Sequence, residues 1–153
     1  MEFRLQRIKE IKTLLEHEIN KRDKILKKYK RTKNMFGVVS KVSVAITMTI
    51  GAGGIIAATT IALLPLAIVL DSIVVVCGIS LLISSKLFYC ISNKIDKHKN
   101  IKLLAINKLE IINKIFSQDE IITQEEYNLI STHYEQFHIL KSELQNTYKN
   151  NIP

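Results

Sequence analysis

Asp71 is the residue whose type and position point most clearly to a chemical role, because it is a carboxylate inside an apolar stretch. From Val42 to Ser85 the only other ionisable side chain is the thiol of Cys77. A charge at the centre of a membrane-spanning helix costs about 2.5–3.5 kcal/mol, so such acids often line ion or proton pathways. Asp71 also follows Pro65 closely, and a helix N-terminus favours a carboxylate. It is a candidate pore or intramembrane acid, with a partly hydrated interfacial carboxylate as the alternative.

The apolar stretch that holds Asp71 is long enough for two membrane spans. It contains 44 residues, or roughly 66 Å of helix, against a bilayer core of about 30 Å. Pro65 suits the first turn of a second helix, because that position needs no backbone donor. The sequence predicts an all-α fold with a two-span transmembrane hairpin, spans at 37–58 and 66–89, and amphipathic cytoplasmic helices at both ends.

Positive charge flanks the apolar stretch on both sides, within a chain of formal net charge +8. The positive-inside rule predicts an integral, multi-pass membrane protein with both termini in the cytoplasm. Basic clusters beside a span also attract anionic lipid. The predicted anionic-lipid contacts are Lys24, Lys27, Lys28, Lys30, Arg31 and Lys33.

The first predicted span carries small residues at helical spacing. In lipid, close backbone approach decides helix association, so this face is predicted to pack against the second span or another subunit of a homo-oligomer. The predicted helix-packing face consists of Gly51, Gly53, Gly54, Ala57 and Ala58. Cys90, just after the second span, is a possible acylation site.

Apolar residues recur every three or four positions in both arms, which indicates amphipathic helices. We expect an amphipathic basic N-terminal helix at 1–35, the transmembrane hairpin at 36–90 and a cytoplasmic helical hairpin at 91–153. Arg22 fills the one gap in the N-terminal stripe. Thr123 and Glu126 form a capping-box pattern that predicts the start of the last helix. The C-terminal hairpin is expected to pack against the N-terminal helix.

Catalytic and metal-binding patterns do not emerge from the sequence. The four histidines share no metal-ligand spacing, and no phosphate loop or nucleophile elbow occurs. A calcium-loop alignment ending at Glu126 fails, because Ile115 falls on the first ligand position and Glu120 replaces the required glycine. We therefore expect no enzyme activity, no cofactor and no metal, and no nucleic acid as a partner.

Two resemblances follow from these features. The order of amphipathic arm, two spans and cytoplasmic helical tail resembles the SLATT class of two-span proteins, which implies a membrane effector of bacterial conflict systems. The C-terminal third, with Lys97-His98-Lys99, Leu104-Ala105 and Ile122-Thr123-Gln124-Glu125-Glu126-Tyr127, is similar to short two-span proteins of invertebrate genomes and virus-like mobile elements. Neither resemblance implies functional residues.

Three functional hypotheses follow. The first is a small oligomeric membrane protein that permeabilises or remodels a bilayer, like a viroporin, holin or effector. The second is a membrane-anchored, non-enzymatic scaffold whose cytoplasmic helices assemble or recruit a protein partner. The third is a soluble helical bundle that hides a hydrophobic hairpin and inserts on a trigger.

Overall fold

The computed structural model describes residues 2–58, 64–116 and 122–150, with side chains described outside 50–67 and 150. These residues form three helices, α1 (Glu2–Ala58), α2 (Leu64–Phe116) and α3 (Gln124–Asn150), and contain no strand. The all-α prediction is confirmed. Pro65 lies in the first turn of α2, where its missing donor is tolerated.

Helices α1 and α2 are longer than the segments predicted from the sequence. Helix α1 runs through both the predicted arm and the predicted first span, and α2 joins the second predicted span to the helix after it. Neither junction holds a helix breaker, because the two prolines are Pro65 and Pro153. Gly37 is helical, and no described glycine has a positive φ.

The chain divides into two compact units. We call Met1–Tyr29 together with Asn93–Pro153 the three-helix unit, and Lys30–Ser92 the apolar unit. Helices α1 and α2 each contribute to both units, whereas α3 belongs to the three-helix unit alone.

An aliphatic core holds the three-helix unit together. Fully burying one such side chain stabilises the fold by about 1.5–3 kcal/mol. The core cluster draws on all three helices and consists of Ile8, Ile11, Leu15, Ala105, Ile112, Ile122, Ile130 and Phe137. The core thus lies on faces where apolar residues recur every three or four positions, and it brings side chains of α1, α2 and α3 together.

Helix α3 begins with the predicted capping box. The Thr123 backbone N–H donates to Glu126 Oε2 at 2.8 Å, and the Glu126 N–H donates to Thr123 Oγ1 at 3.2 Å. This reciprocal pair satisfies backbone donors that lack partners at a helix start. It fixes where α3 begins and thus the register of its buried stripe.

Candidate membrane-active site

Helix α2 contains a stretch that is long and apolar enough to cross a membrane. The stretch begins at Ile68, only 6% of its most apolar window is buried, and it is the one such helix among the described residues. This supports a membrane-spanning helix by length and composition. The predicted first span, 37–58, is helical, but its side chains are described only as far as Thr49.

The exposed side chains of this stretch are large and aliphatic. Val75, Val76 and Leu82 are 60%, 63% and 72% exposed, respectively. On the α1 side of the apolar unit, Val38 and Val42 are also more than half exposed. Contiguous apolar patches of this kind mark surfaces that another molecule or a lipid phase covers.

Asp71 lies on α2 as an exposed residue within this apolar surface. Ile68 and Val75, one turn away on either side, are 62% and 60% exposed. Ser72 is its nearest polar neighbour in sequence, but the Ser72 hydroxyl donates to the Ile68 carbonyl at 2.8 Å. Within the described residues, no hydrogen bond or ion pair to Asp71 is present. A carboxylate in such surroundings requires water or a polar group from elsewhere.

Three described positions of the apolar unit are buried, and two of them, Ser43 and Ser84, are small residues, whereas the third is Ile91. The predicted helix-packing face, Gly51 to Ala58, lies outside the described side chains and stays a prediction. Ser43 and Ser84, which the sequence analysis did not single out, are 9% and 6% exposed. Small hydroxyl residues allow close helix approach in membranes, so these serines mark the described positions where helices can pack.

The predicted lipid-contacting cations lie on α1. Lys24, Lys27, Lys30 and Arg31 are exposed, as is Lys28. Lys33 is half-buried, and its Nζ lies 4.6 Å from the centre of the Phe88 ring, a cation–π contact. Cys90 is a free, half-buried thiol. Lipid contact and acylation stay predictions for these residues.

A buried polar cluster lies in the three-helix unit, apart from the aliphatic core. The Arg22 side chain is 7% exposed and the Glu18 side chain 12%. Arg22 Nε donates to Glu18 Oε1 at 2.7 Å, with a second short contact from Nη2. Lys141 of α3 approaches the same Glu18 oxygen at 3.0 Å. One carboxylate of α1 is thus shared by a guanidinium on its own helix and an ammonium on α3.

His98 of α2 completes this cluster. Arg22 Nη1 lies 2.8 Å from His98 Nδ1, and the His98 ring stacks on Tyr29 with centroids 5.7 Å apart. Burial lowers the pKa of His98, and the nearby Arg22 and Lys97 charges lower it further. Burial by itself raises the pKa of Glu18, but the hydrogen bonds from Arg22 and Lys141 outweigh it and the net shift is downward. The cluster therefore combines an ionised Glu18 with a neutral His98.

This cluster was not predicted from the amino-acid sequence, although one signal for it is visible there. Arg22 occupies a core position of the N-terminal stripe, and Glu18 lies four residues before it, which is a helical ion-pair spacing. The partners from α2 and α3 carry no local signal, because they meet Arg22 only through tertiary packing. Across the described part of the chain, no group of three metal-ligating side chains converges.

Comparison with protein-family models, curated proteins and solved structures found no match to this chain. The two resemblances drawn from the sequence therefore stay predictions.

Proposed function

We propose that this chain is a small, non-enzymatic integral membrane protein that assembles into a homo-oligomer and permeabilises or remodels a bilayer. In this proposal the apolar unit crosses the membrane as a two-span hairpin, with both termini in the cytoplasm. The observation that carries it is the exposed Asp71 on an α2 surface that is otherwise aliphatic.

The physical argument rests on the cost of that carboxylate. A lone chain in lipid would expose Asp71 to hydrocarbon, at about 2.5–3.5 kcal/mol for a position near the helix centre. Association of several chains around a shared aqueous path removes this cost, because Asp71 then meets water. The exposed aliphatic side chains of α2 can face lipid at no such cost.

The exposed cations on α1 support the proposed orientation, in which both termini lie in the cytoplasm. Each basic residue near an anionic bilayer surface contributes about 1 kcal/mol of attraction. Lys30, Arg31 and Lys33 precede the predicted first span directly. Tyr89, near the end of the predicted second span, is 55% exposed and is a residue type enriched at interfaces. We propose that this region contacts anionic lipid headgroups.

A membrane-anchored scaffold is the second candidate, and a specific observation favours it. The three-helix unit has its own aliphatic core, and α3 still presents Leu129, Ile139 and Leu140 outward at 48%, 57% and 40% exposure. A packed unit with an outer apolar face suits partner recruitment. In that case the apolar helices serve only as an anchor.

Ion conductance of the purified chain in planar bilayers of anionic lipid separates the two candidates. Asp71→Asn removes the proposed lining charge with almost no change in volume. Asp96→Asn is the matched control, since Asp96 is an exposed carboxylate on the same helix but belongs to the three-helix unit. The permeabilising proposal expects reproducible currents whose cation selectivity falls in Asp71→Asn and is kept in Asp96→Asn.

Silent bilayers with verified insertion would overturn permeabilisation and favour the scaffold. Equal currents from both variants would show that Asp71 does not line the conducting path. Recovery of the chain in the supernatant of detergent-free lysate would overturn the integral membrane proposal altogether.

A further inference from the structure

Two histidines of the three-helix unit accept hydrogen bonds from cationic side chains on a neighbouring helix. Arg22 Nη1 of α1 lies 2.8 Å from His98 Nδ1 of α2. Lys108 Nζ of α2 lies 3.3 Å from His133 Nδ1 of α3. Guanidinium and ammonium groups only donate, so both Nδ1 atoms must be unprotonated and both rings neutral.

We infer that the three-helix unit is sensitive to acid, because proton uptake by His98 and His133 weakens the contacts between its helices. Protonation at Nδ1 replaces an acceptor lone pair with an N–H that faces another donor. Each hydrogen bond then becomes a contact between like charges. One histidine links α1 to α2 and the other links α2 to α3, so a proton on each ring would weaken a different helix pair.

The groups that face His98 make its charged form unfavourable. Helix α1 presents Arg22, Glu18 and the Tyr29 ring, while α2 itself adds Lys94 and Lys97. Glu18 is the one acid of this set, and its carboxylate is already shared by Arg22 and Lys141 of α3. Burial and the surrounding cations therefore lower the pKa of His98.

His133 faces the Lys108 ammonium of α2. Lys108 Nζ also donates to Gln136 Oε1 of α3 at 2.9 Å, so the ammonium is held beside the ring by a second contact. On α3, His138 packs edge-on against Tyr134 and Phe137, and Lys141 lies over the Phe137 ring. A proton on His133 would therefore meet a fixed positive charge.

The direction of the pH effect follows from these contacts. A histidine whose pKa is lower in the folded state binds its proton more readily when unfolded. Its contribution to stability is complete above its ordinary value, 6.5 for His98, and is lost as pH falls toward the folded value. Glu18 titrates in a lower range, since its pKa lies below its ordinary value of 4.5. A decrease in the stability of the folded state between pH 7.5 and 5.5 is therefore attributed to protonation of histidine and not of Glu18.

The inference is tested by thermal unfolding of the full chain in detergent micelles, followed by circular dichroism at pH 7.5 and 5.5. We expect the unfolding midpoint to fall by about 4–8 °C over this range, which corresponds to about 1 kcal/mol in a unit of this size. His98→Asn with His133→Asn keeps an acceptor near each Nδ1 position and removes the titration, so most of the fall should disappear. His17→Asn, at an exposed position of α1, should retain the full fall.

Nitrogen NMR of the imidazole rings gives a second readout that does not depend on a stable variant. We expect unprotonated Nδ1 in His98 and His133 at pH 7.5, and a titration midpoint for His98 below its ordinary value of 6.5. A pH-independent unfolding midpoint, a double variant with an undiminished fall, or a His98 that titrates at or above 6.5 would each overturn the inference. The conductance result for Asp71 has no bearing on these outcomes, so the two proposals fail separately.

Discussion

The three-helix unit and the apolar unit use the same two helices but place their aliphatic side chains in opposite environments. In the three-helix unit, Leu15 and Ile112 are fully buried. In the apolar unit, Val76 and Leu82 are 63% and 72% exposed. Helix α2 thus has an exposed apolar surface in the apolar unit and an amphipathic pattern with a buried stripe in the three-helix unit.

This difference fits the proposal that the apolar unit lies in lipid and the three-helix unit in water. The three-helix unit covers its core with its own charged residues, among them Lys102, which pairs with Asp23 at 2.7 Å. Within the described residues, the apolar unit leaves many of its large aliphatic side chains more than half exposed, among them Val38, Val75 and Leu82. Leaving such area in water costs roughly 25 cal/mol per Å², whereas lipid imposes no such cost. The comparison therefore predicts opposite responses to the same substitution in the two units.

Leucine truncation should give the largest contrast. Leu15→Ala removes a fully buried side chain and is expected to lower the unfolding free energy by about 2–5 kcal/mol. Leu82→Ala removes a side chain that is 72% exposed and should change it by less than about 0.5 kcal/mol. Urea unfolding of the full chain in detergent, followed by circular dichroism, measures both.

Equal destabilisation by the two variants would contradict the comparison, because it would mean that Leu82 is buried in the folded protein. A destabilising Leu82→Ala would instead place the α2 surface at an interface between chains. Repeating the measurement at several protein concentrations in the micelle distinguishes that case, since association makes stability depend on concentration.

The contrast between the units could be read from the sequence to a large extent. The 44 residues without a charge other than Asp71, the three- and four-residue periodicity of the arms and the Thr123–Glu126 cap are all local patterns. They predicted an all-α chain with amphipathic arms, but as five separate helical segments rather than three long helices. The continuity of α1 and α2 was not predicted, because a change from an amphipathic to an apolar pattern looks like the end of a helix. No proline stands at either change to end the helix there. The His98 and Lys141 contacts to the Glu18–Arg22 pair depend on inter-helix register, which local patterns do not contain.

Introducing a charge should give the next largest effect. Val76→Arg places a guanidinium on the exposed surface of α2, and near a span centre it should cost about 2.5–3.5 kcal/mol of membrane insertion. Leu103→Arg is the matched control, since Leu103 is 55% exposed on the same helix but in the three-helix unit. We expect the first variant to leave the carbonate-resistant membrane fraction and the second to remain in it.

If both arginine variants stay in the membrane fraction, the exposed surface of α2 does not face lipid. If both leave it, the three-helix unit itself contributes to membrane attachment, and the division of roles between the units is wrong. Leu103→Arg should also leave the midpoint of urea unfolding nearly unchanged, because an exposed helical site tolerates arginine well.

The smallest expected effect concerns the start of α3 and tests whether the two units respond independently. Thr123→Ala removes the N-cap and should lower the unfolding free energy of the three-helix unit by about 1 kcal/mol. The hydrogen bonds from Thr123, backbone first, hold the pKa of Glu126 below its ordinary value of 4.5. This contribution is present above that value and is lost as pH falls through the folded value. It should be smaller in the variant, which loses the hydroxyl donor to Glu126 but keeps the backbone N–H. Thr132→Ala is the control, because the Thr132 hydroxyl donates to the Asn128 carbonyl within the helix and caps nothing.

Membrane extraction should be the same for Thr123→Ala and Thr132→Ala. A loss of membrane retention in Thr123→Ala alone would show that the folding of one unit controls the insertion of the other.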